Sequence, residues 1–193
     1  MSTETTKKFK LNGGWLMLWE VVKVVAMALA IVVVVKHFLF QPFYVKGASM
    51  EPTYEDHEYL IIDELTYRFH SPNRGEVVVF RYPNDPSQYF IKRVIGLPGE
   101  AVQVKESAVW VNGQPLDESA YLDASVQSNG TIDLTLGPDE FFLMGDNRAA
   151  SLDSRIFGPV NRSYIIGRTW FRAWPFSRLM RFQAPSYPIL PTP

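Results

Sequence analysis

The stretch GEVVVFRYPNDPSQYFIKRVIG, residues 75–96, holds two short runs of β-branched and aromatic residues separated by Pro, Asn and Asp. Such runs favour strands, and the residues between them favour turns. Similar runs occur on both sides: EYLIIDE, AVQVKE, AVWVNGQPL, EFFLMGDN and SYIIGRTWF. The Asn112-Gly113 pair predicts a two-residue hairpin turn. Closely spaced short strands with few helical periods predict an all-β domain of barrel-like or sandwich architecture.

An apolar segment precedes these strands. Val24 to Val35 is uninterrupted apolar sequence, and residues 14–40 are long enough to cross a bilayer as a helix. Lysines before the segment favour an N-terminus in the cytoplasm and a chain that continues outside. A cleavable signal peptide and a buried core helix are the alternatives. The segment continues into Pro42 instead of ending at a small-residue cleavage site, and it is apolar on all faces.

Composition limits the function classes. The 193 residues carry a formal net charge of −1 with no single basic run, which gives no electrostatic footprint for nucleic acid. The chain has no cysteine, so it has no disulfide, thiolate nucleophile or Cys-ligated zinc. No H-E-x-x-H or comparable spacing indicates a metal, and no cofactor is expected.

The chain therefore divides into four predicted parts. They are a cytoplasmic N-terminus over residues 1–13, a transmembrane helix over 14–40, an extracytoplasmic β domain over 41–182 and a Pro-rich tail over 183–193. The polar stretch 117–139, within about 113–140, is expected to be an insertion or part of a smaller cap.

The stretch VKGASMEPTY, residues 45–54, places Ser49 shortly after the apolar segment. Gly, Ser and Pro close together usually mark a turn, and most such serines do no chemistry. A nucleophilic serine needs a base. The three histidines, His37, His57 and His70, lie at the membrane edge or among polar residues, and no G-x-S-x-G elbow surrounds Ser49. A Ser-His-Asp triad is thus not favoured.

Lysine can replace histidine as the base when it is neutral. Strand alternation in QYFIKRVI puts Phe90, Lys92 and Val94 on one face, so Lys92 has apolar neighbours. Burial there would lower its pKa from about 10.4, and a fall to roughly 8 requires about 3 kcal/mol. A strand-edge lysine with its amine in water is the alternative.

Five motifs carry a resemblance to a known family. GASMEPT, RGEVVVFRYP, YFIKRVIGLPGE, VWVNGQPL and FFLMGDNRAASLDSRIFGPV resemble, in order, the successive motifs of bacterial type I signal peptidases. The resemblance runs from the membrane segment to about Val160. It implies that Ser49 is the nucleophile, that Lys92 is the general base, and that the fold is mostly antiparallel β.

The resemblance also implies supporting residues. Ser151 matches a serine whose hydroxyl hydrogen-bonds the lysine and orients it. Asp153 and Arg155 match a structural ion pair, and Asp146 and Arg93 match framework positions near the site. Candidate walls of the substrate pockets are Phe43, Val45, Met50, Phe90 and Ile91.

Two positions depart from the family pattern. Ala149 and Ala150 stand where the motif often reads Asp-Asn, and Gly47 stands where some members carry a serine that assists the oxyanion hole. The Ser49 backbone N–H would still serve, and a second donor would be backbone or water.

The implied function is a membrane-anchored serine endopeptidase of the bacterial cytoplasmic membrane. It would remove signal peptides from secreted preproteins after small residues, through an acyl-enzyme intermediate, with the signal peptide and the lipid bilayer as partners. A non-catalytic membrane-anchored β domain that binds secreted chains and a self-cleaving Ser-Lys repressor-like protease are the alternatives. The sequence does not indicate an oligomeric state.

Overall fold

The computed structural model describes residues 13–38 and 40–187, with side chains over 14–32 and 41–187. The chain divides into two units, residues 1–39 and 40–193. The first holds helix α1, Gly13–Phe38. Its Gly14–Val32 stretch is long and apolar enough to cross a membrane, judged by length and composition, and its side chains are exposed. The helix ends at Phe38, two residues before the predicted end.

The regular secondary structure of the second unit consists mainly of strands that pair antiparallel. In the described part of the chain these are β1 (Phe40–Tyr44), β2 (Tyr59–Asp63), β3 (Val77–Tyr82), β4 (Asp85–Gly96), β5 (Ala101–Lys105), β6 (Ala108–Val111), β7 (Gln114–Pro115), β8 (Ile132–Thr135), β9 (Glu140–Met144), β10 (Val160–Asn161), β11 (Ile165–Trp174) and β12 (Met180–Arg181). A short helix, α2, covers Ser154–Phe157. The predicted mostly antiparallel β domain is confirmed.

The strands form two sheets. The larger has the order β1-β2-β11-β3-β4-β9-β10, with β12 added beside β11, and the smaller has the order β7-β6-β5-β8. Strand β1 was not predicted as a strand: its first residue, Phe40, was assigned to the end of the helix, and residues 41–44 were placed in the β domain without a strand assignment. It lies at the sheet edge, where Pro42 is tolerated although proline has no N–H to donate.

The smaller sheet accounts for two features of the sequence. Asn112 and Gly113 join β6 to β7 with φ of 50° and 75°, which confirms the predicted tight hairpin. The polar stretch 117–139 contributes β8, which pairs with β5. The stretch therefore contributes one strand to the smaller sheet.

Strand β4 contributes to the cores of both sheets. Ile95 packs in the cluster with Val102 and Phe142, whereas Val94 packs with Val78 and Phe80. Neighbouring strands and two apolar clusters surround the second half of β4, where the side chains from Lys92 to Ile95 are buried. Lys92 is one of these side chains.

Candidate active site

Ser49 lies in a loop that leaves β1 and returns to β2. The loop is closed by backbone hydrogen bonds from Val45 N to Glu58 O, 2.8 Å, and from His57 N to Val45 O, 3.1 Å. Gly47 adopts φ +93°, and its N–H donates to Asp56 Oδ1 at 2.8 Å. Glycine has no side chain, which permits this positive φ. The Gly47 N–H is already used as a hydrogen-bond donor within the loop.

The loop after β9 holds the peptide backbone around Ser49. Asn147 N donates to Ser49 O, and Asn147 Nδ2 donates to Ala48 O, both at 3.1 Å. Asn147 was not predicted from the sequence. Its two partners are almost a hundred residues away in the chain, so its spacing gave no signal.

Lys92 reaches Ser49 from strand β4, which lies in the same sheet as β1 and β2 but is not next to them. On β4 it pairs with Val78 of β3, and only 3% of its surface is exposed. Its Nζ lies 2.7 Å from Ser49 Oγ and also donates to Ile91 O at 2.9 Å. The structure thus brings together the two residues that the sequence analysis paired, and it places the lysine in the interior.

Burial changes the titration of Lys92. Loss of solvation lowers its pKa from 10.5 to about 8, while the negative charges of Asp153 and Asp146 act in the opposite direction. At pH 7.5 a group with that pKa is neutral in roughly a quarter of molecules, against about one in a thousand for an ordinary lysine. Lys92 can therefore accept a proton near neutral pH.

Ser151 does not make the hydrogen bond that was expected of it. Its Oγ is buried but has no hydrogen-bond partner among the described residues, whereas Lys92 Nζ contacts Ser49 and Ile91. The Ser151 hydroxyl instead lies near Asp153 and helps to lower the pKa of that carboxyl. A direct Ser151–Lys92 hydrogen bond is absent from this arrangement.

The predicted framework residues form two ion pairs: Arg93–Asp146 is buried, and Arg155–Asp153 is partly buried. Arg93 donates to Asp146 through Nε at 2.8 Å and through a terminal nitrogen at 2.6 Å, and Thr53 Oγ1 donates to the same carboxylate at 2.6 Å. Arg155 Nε donates to Asp153 at 2.9 Å. Neither pair hydrogen-bonds the Lys92 amine, but the two carboxylates place negative charge near it.

Burial alone would raise the pKa of Asp153. Hydrogen bonds from Arg155 and from Gly145 N, the latter at 3.0 Å, outweigh this effect and hold the pKa below its ordinary value. Asp153 therefore stays ionised. It also accepts from Arg155 N at the start of α2, which anchors the loop that carries Ser151.

The stretch 117–139 contacts the same loop through Arg148, which was not predicted from the sequence. This buried guanidinium donates through Nε to Gly145 O at 3.0 Å and through a terminal nitrogen to Glu118 Oε2 at 2.8 Å. Tyr121 donates to the same glutamate at 2.6 Å, and its ring lies 3.9 Å from the Arg93 guanidinium carbon. The stretch 117–139 thus contacts the frame of the site.

A cavity of about 420 Å³ opens beside Ser49 and Lys92. Four of the five predicted pocket residues line it: Phe43, Val45, Phe90 and Ile91. Met50 is the exception. Its side chain is buried in the core with Leu60 and Ile62, so the expectation that it forms a pocket wall is not met.

The described histidines do not form a triad with Ser49. His57 and His70 are exposed, and neither lines the cavity. The side chain of His37 lies outside the described residues. Among the side chains that the structure describes, Lys92 is the only basic group hydrogen-bonded to Ser49 Oγ.

Comparisons with known proteins agree on one family. A family model described as signal peptidase, peptidase S26, matches residues 18–174. The chain is 39% identical over 175 residues to a signal peptidase I of Leptolyngbya laminosa, covering 84% of this chain and 82% of the relative. It is 34% identical over 169 residues to a signal peptidase I of Bacillus amyloliquefaciens, covering 82% and 89%. A solved signal peptidase I from Enterococcus faecalis is 29% identical, with a TM-score of 0.45 and coverage of 51% of this chain and 97% of that one.

Proposed function

The chain belongs to the signal peptidase I family of serine peptidases, peptidase S26, and from this membership we propose that it removes signal peptides with Ser49 as nucleophile and Lys92 as base. The observation that carries the proposal is the 2.7 Å approach of a buried lysine amine to a serine hydroxyl. A lysine at a strand edge, with its amine in water, would not show that burial or that contact.

The reaction proceeds as acyl transfer in two steps. Neutral Lys92 takes the proton of Ser49 Oγ while Oγ attacks the scissile carbonyl carbon. The resulting ammonium gives the proton to the leaving amine, and an ester joins Ser49 to the signal peptide. Water that loses its proton to Lys92 then attacks the ester, Lys92 returns that proton to the departing Ser49 Oγ, and the signal peptide is released.

The contacts of Lys92 suit this role. A neutral amine has two N–H groups and one lone pair. Ile91 O accepts one hydrogen at 2.9 Å, which restricts rotation of the amine and leaves the lone pair free to face Ser49 Oγ. Ser151, given the orienting role by resemblance, would add to this restriction if its hydroxyl turned toward the amine during turnover.

The substrate is an extended chain with small residues at the first and third positions before the cut. Alternate side chains of an extended peptide point the same way, so two shallow pockets two residues apart would read them. The apolar cavity walls formed by Phe43, Val45, Phe90 and Ile91 suit small apolar side chains. Met50, which is buried in the core, is left out of this proposal.

Helix α1 serves as a membrane anchor. Its length, apolar composition and exposed side chains suit a single span of the bacterial cytoplasmic membrane. Lysines before the helix favour a cytoplasmic N-terminus and an extracytoplasmic catalytic domain. The site would then lie on the side where signal peptides emerge.

The test is a cleavage assay with the detergent-solubilised full chain. The protein is incubated with a preprotein, and the cut site is located by mass spectrometry. Cleavage after a small residue at the end of the signal peptide is expected, and Ser49→Ala should abolish it without loss of the folded state. Normal cleavage by Ser49→Ala would remove Ser49 from the mechanism.

A further inference from the structure

The peptide group that joins Ala48 to Ser49 is held from its carbonyl side. Ala48 O accepts from Asn147 Nδ2 and from Glu51 N, each at 3.1 Å. The next carbonyl, Ser49 O, accepts from Asn147 N at 3.1 Å. One asparagine therefore contacts the carbonyls on both sides of the Ser49 α-carbon.

A peptide group is planar and almost always trans, so its C=O and N–H point in opposite directions. Fixing the direction of Ala48 C=O therefore fixes the direction of Ser49 N–H. This N–H donates to no acceptor within residues 13–38 and 40–187. It is free to donate to a substrate oxygen.

The Ser49 N–H matters more here because residue 47 contributes no donor to the site. Gly47 has no hydroxyl, and its own N–H already donates to Asp56 at 2.8 Å. A backbone donor stabilises an oxyanion only if it is aimed before the reaction begins. Because this peptide plane is fixed, the direction of the Ser49 N–H is set before the reaction begins.

We infer that Asn147 is a positioning residue whose side-chain amide orients the Ser49 N–H toward the oxyanion of the tetrahedral intermediate. The inference rests on the proposed role of Ser49. Asn147 itself does not touch the substrate. Its carbonyl oxygen accepts from Ala150 N at 3.3 Å, which holds the side chain with its NH₂ group toward Ala48.

The test compares the unmodified chain with Asn147→Leu, which keeps the approximate shape but removes the donor. Loss of one oxyanion donor typically lowers kcat about a hundredfold or more, and misorientation should cost part of that, about tenfold to a hundredfold. KM should change less than about threefold, since the pocket walls are untouched. The pKa seen in the pH profile should stay the same, because Asn147 does not contact Lys92.

A pair of inhibitors isolates the oxyanion. A peptide aldehyde with the substrate sequence adds Ser49 Oγ to its carbonyl carbon, Lys92 takes the proton, and the former carbonyl oxygen occupies the oxyanion position. The matching peptide alcohol fills the same pockets but forms no such bond. In Asn147→Leu the preference for aldehyde over alcohol should fall by at least about tenfold.

The outcomes separate the two proposals. If the unmodified chain shows no preference for the aldehyde, Ser49 is not the nucleophile. If the unmodified chain prefers the aldehyde and Asn147→Leu keeps that preference and its kcat, Asn147 has no positioning role. Equal weakening of aldehyde and alcohol would likewise assign Asn147 to general structure and overturn the inference.

One further variant is a control for this comparison, and a second is a substitute for Asn147→Leu. Asn84→Leu removes an exposed amide that donates to Tyr82 at 3.1 Å and does not line the cavity, so it should leave kcat and the aldehyde preference unchanged. Asn147→Asp replaces the Leu variant if the latter fails to fold. Its kcat is read on the high-pH plateau, because a new carboxylate near Lys92 would raise the pKa of the amine.

Discussion

Gly145→Ala should lower kcat, although residue 145 has no side chain that could take part in the reaction. A Cβ at this position would lie 2.6 Å from Ser151 Cβ and closer still to Ser49 O and Ser151 Oγ. Real Cβ atoms essentially never approach within 3.0 Å, and Ser49 O belongs to the backbone and cannot rotate away. The backbone of Ser49 or of residue 145 must therefore move.

The size of the effect follows from that movement. A shift of about half an ångström at Ser49 would disturb the 2.7 Å contact with Lys92, and misplacement of about 1 Å can cost about a hundredfold in rate. We expect kcat to fall by about tenfold to a hundredfold. Crowding should also cost about 1–3 kcal/mol of stability, which lowers Tm by several degrees.

The assay is peptide cleavage by the purified chain, with Tm measured in the same buffer. Gly137→Ala is the matched control, because a Cβ there would meet only the flexible Glu140 side chain, at 3.1 Å. The control should keep its kcat within about threefold. If Gly145→Ala cleaves as fast as the unmodified chain, the close packing of Ser49 against residue 145 does not position the nucleophile.

Three further predictions concern the base, its neighbours and the anchor. Because the base must be neutral, kcat/KM should be low at acid pH, rise through an apparent pKa of about 8 and then level off. Asp153→Asn should move that rise to lower pH, because it removes a charge that raises the pKa of Lys92. A pH-independent rate between pH 6 and 9 would contradict this prediction. Ser151→Ala should lower kcat by at least about tenfold with KM nearly unchanged, since the hydroxyl would orient Lys92 and not touch the peptide; an unchanged kcat would mean that this hydroxyl has no partner during turnover either. Removing residues 1–36 should leave cleavage of a short soluble peptide intact and impair cleavage of membrane-bound preproteins, whereas a folded but wholly inert product would place the helix within the active site.

The sequence predicted much of the fold because alternation and turn residues are local properties. Seven of the strands lie in runs rich in β-branched and aromatic residues, and the Asn112-Gly113 turn was readable from two residues. Strand β1 was missed because FLFQPF continues the apolar composition of the helix, and only pairing with β2 makes it a strand. Strand order was not predictable from local pattern, since it depends on contacts between distant segments.

Some residues of the candidate site could likewise be predicted from the sequence, and others could not. Ser49 and Lys92 have chemical types that draw attention, and their motifs identified them. Asn147 and Arg148 act through contacts with Ala48 and with Glu118 that lie far away in the chain, so no spacing reveals them. Met50 follows the nucleophile directly, yet its side chain turns into the core, a direction that sequence adjacency does not specify.

The turnover of Lys92→Arg tests the central proposal most directly. Arginine keeps the positive charge and roughly the length of lysine, but its guanidinium stays protonated at any accessible pH and cannot take the Ser49 proton. With one purified protein and one peptide, Lys92→Arg should be as inactive as Lys92→Ala. If it instead keeps more than about a tenth of normal turnover, a change of only about 1.4 kcal/mol in the barrier, Lys92 is not the base and the Ser-Lys mechanism does not operate in this chain.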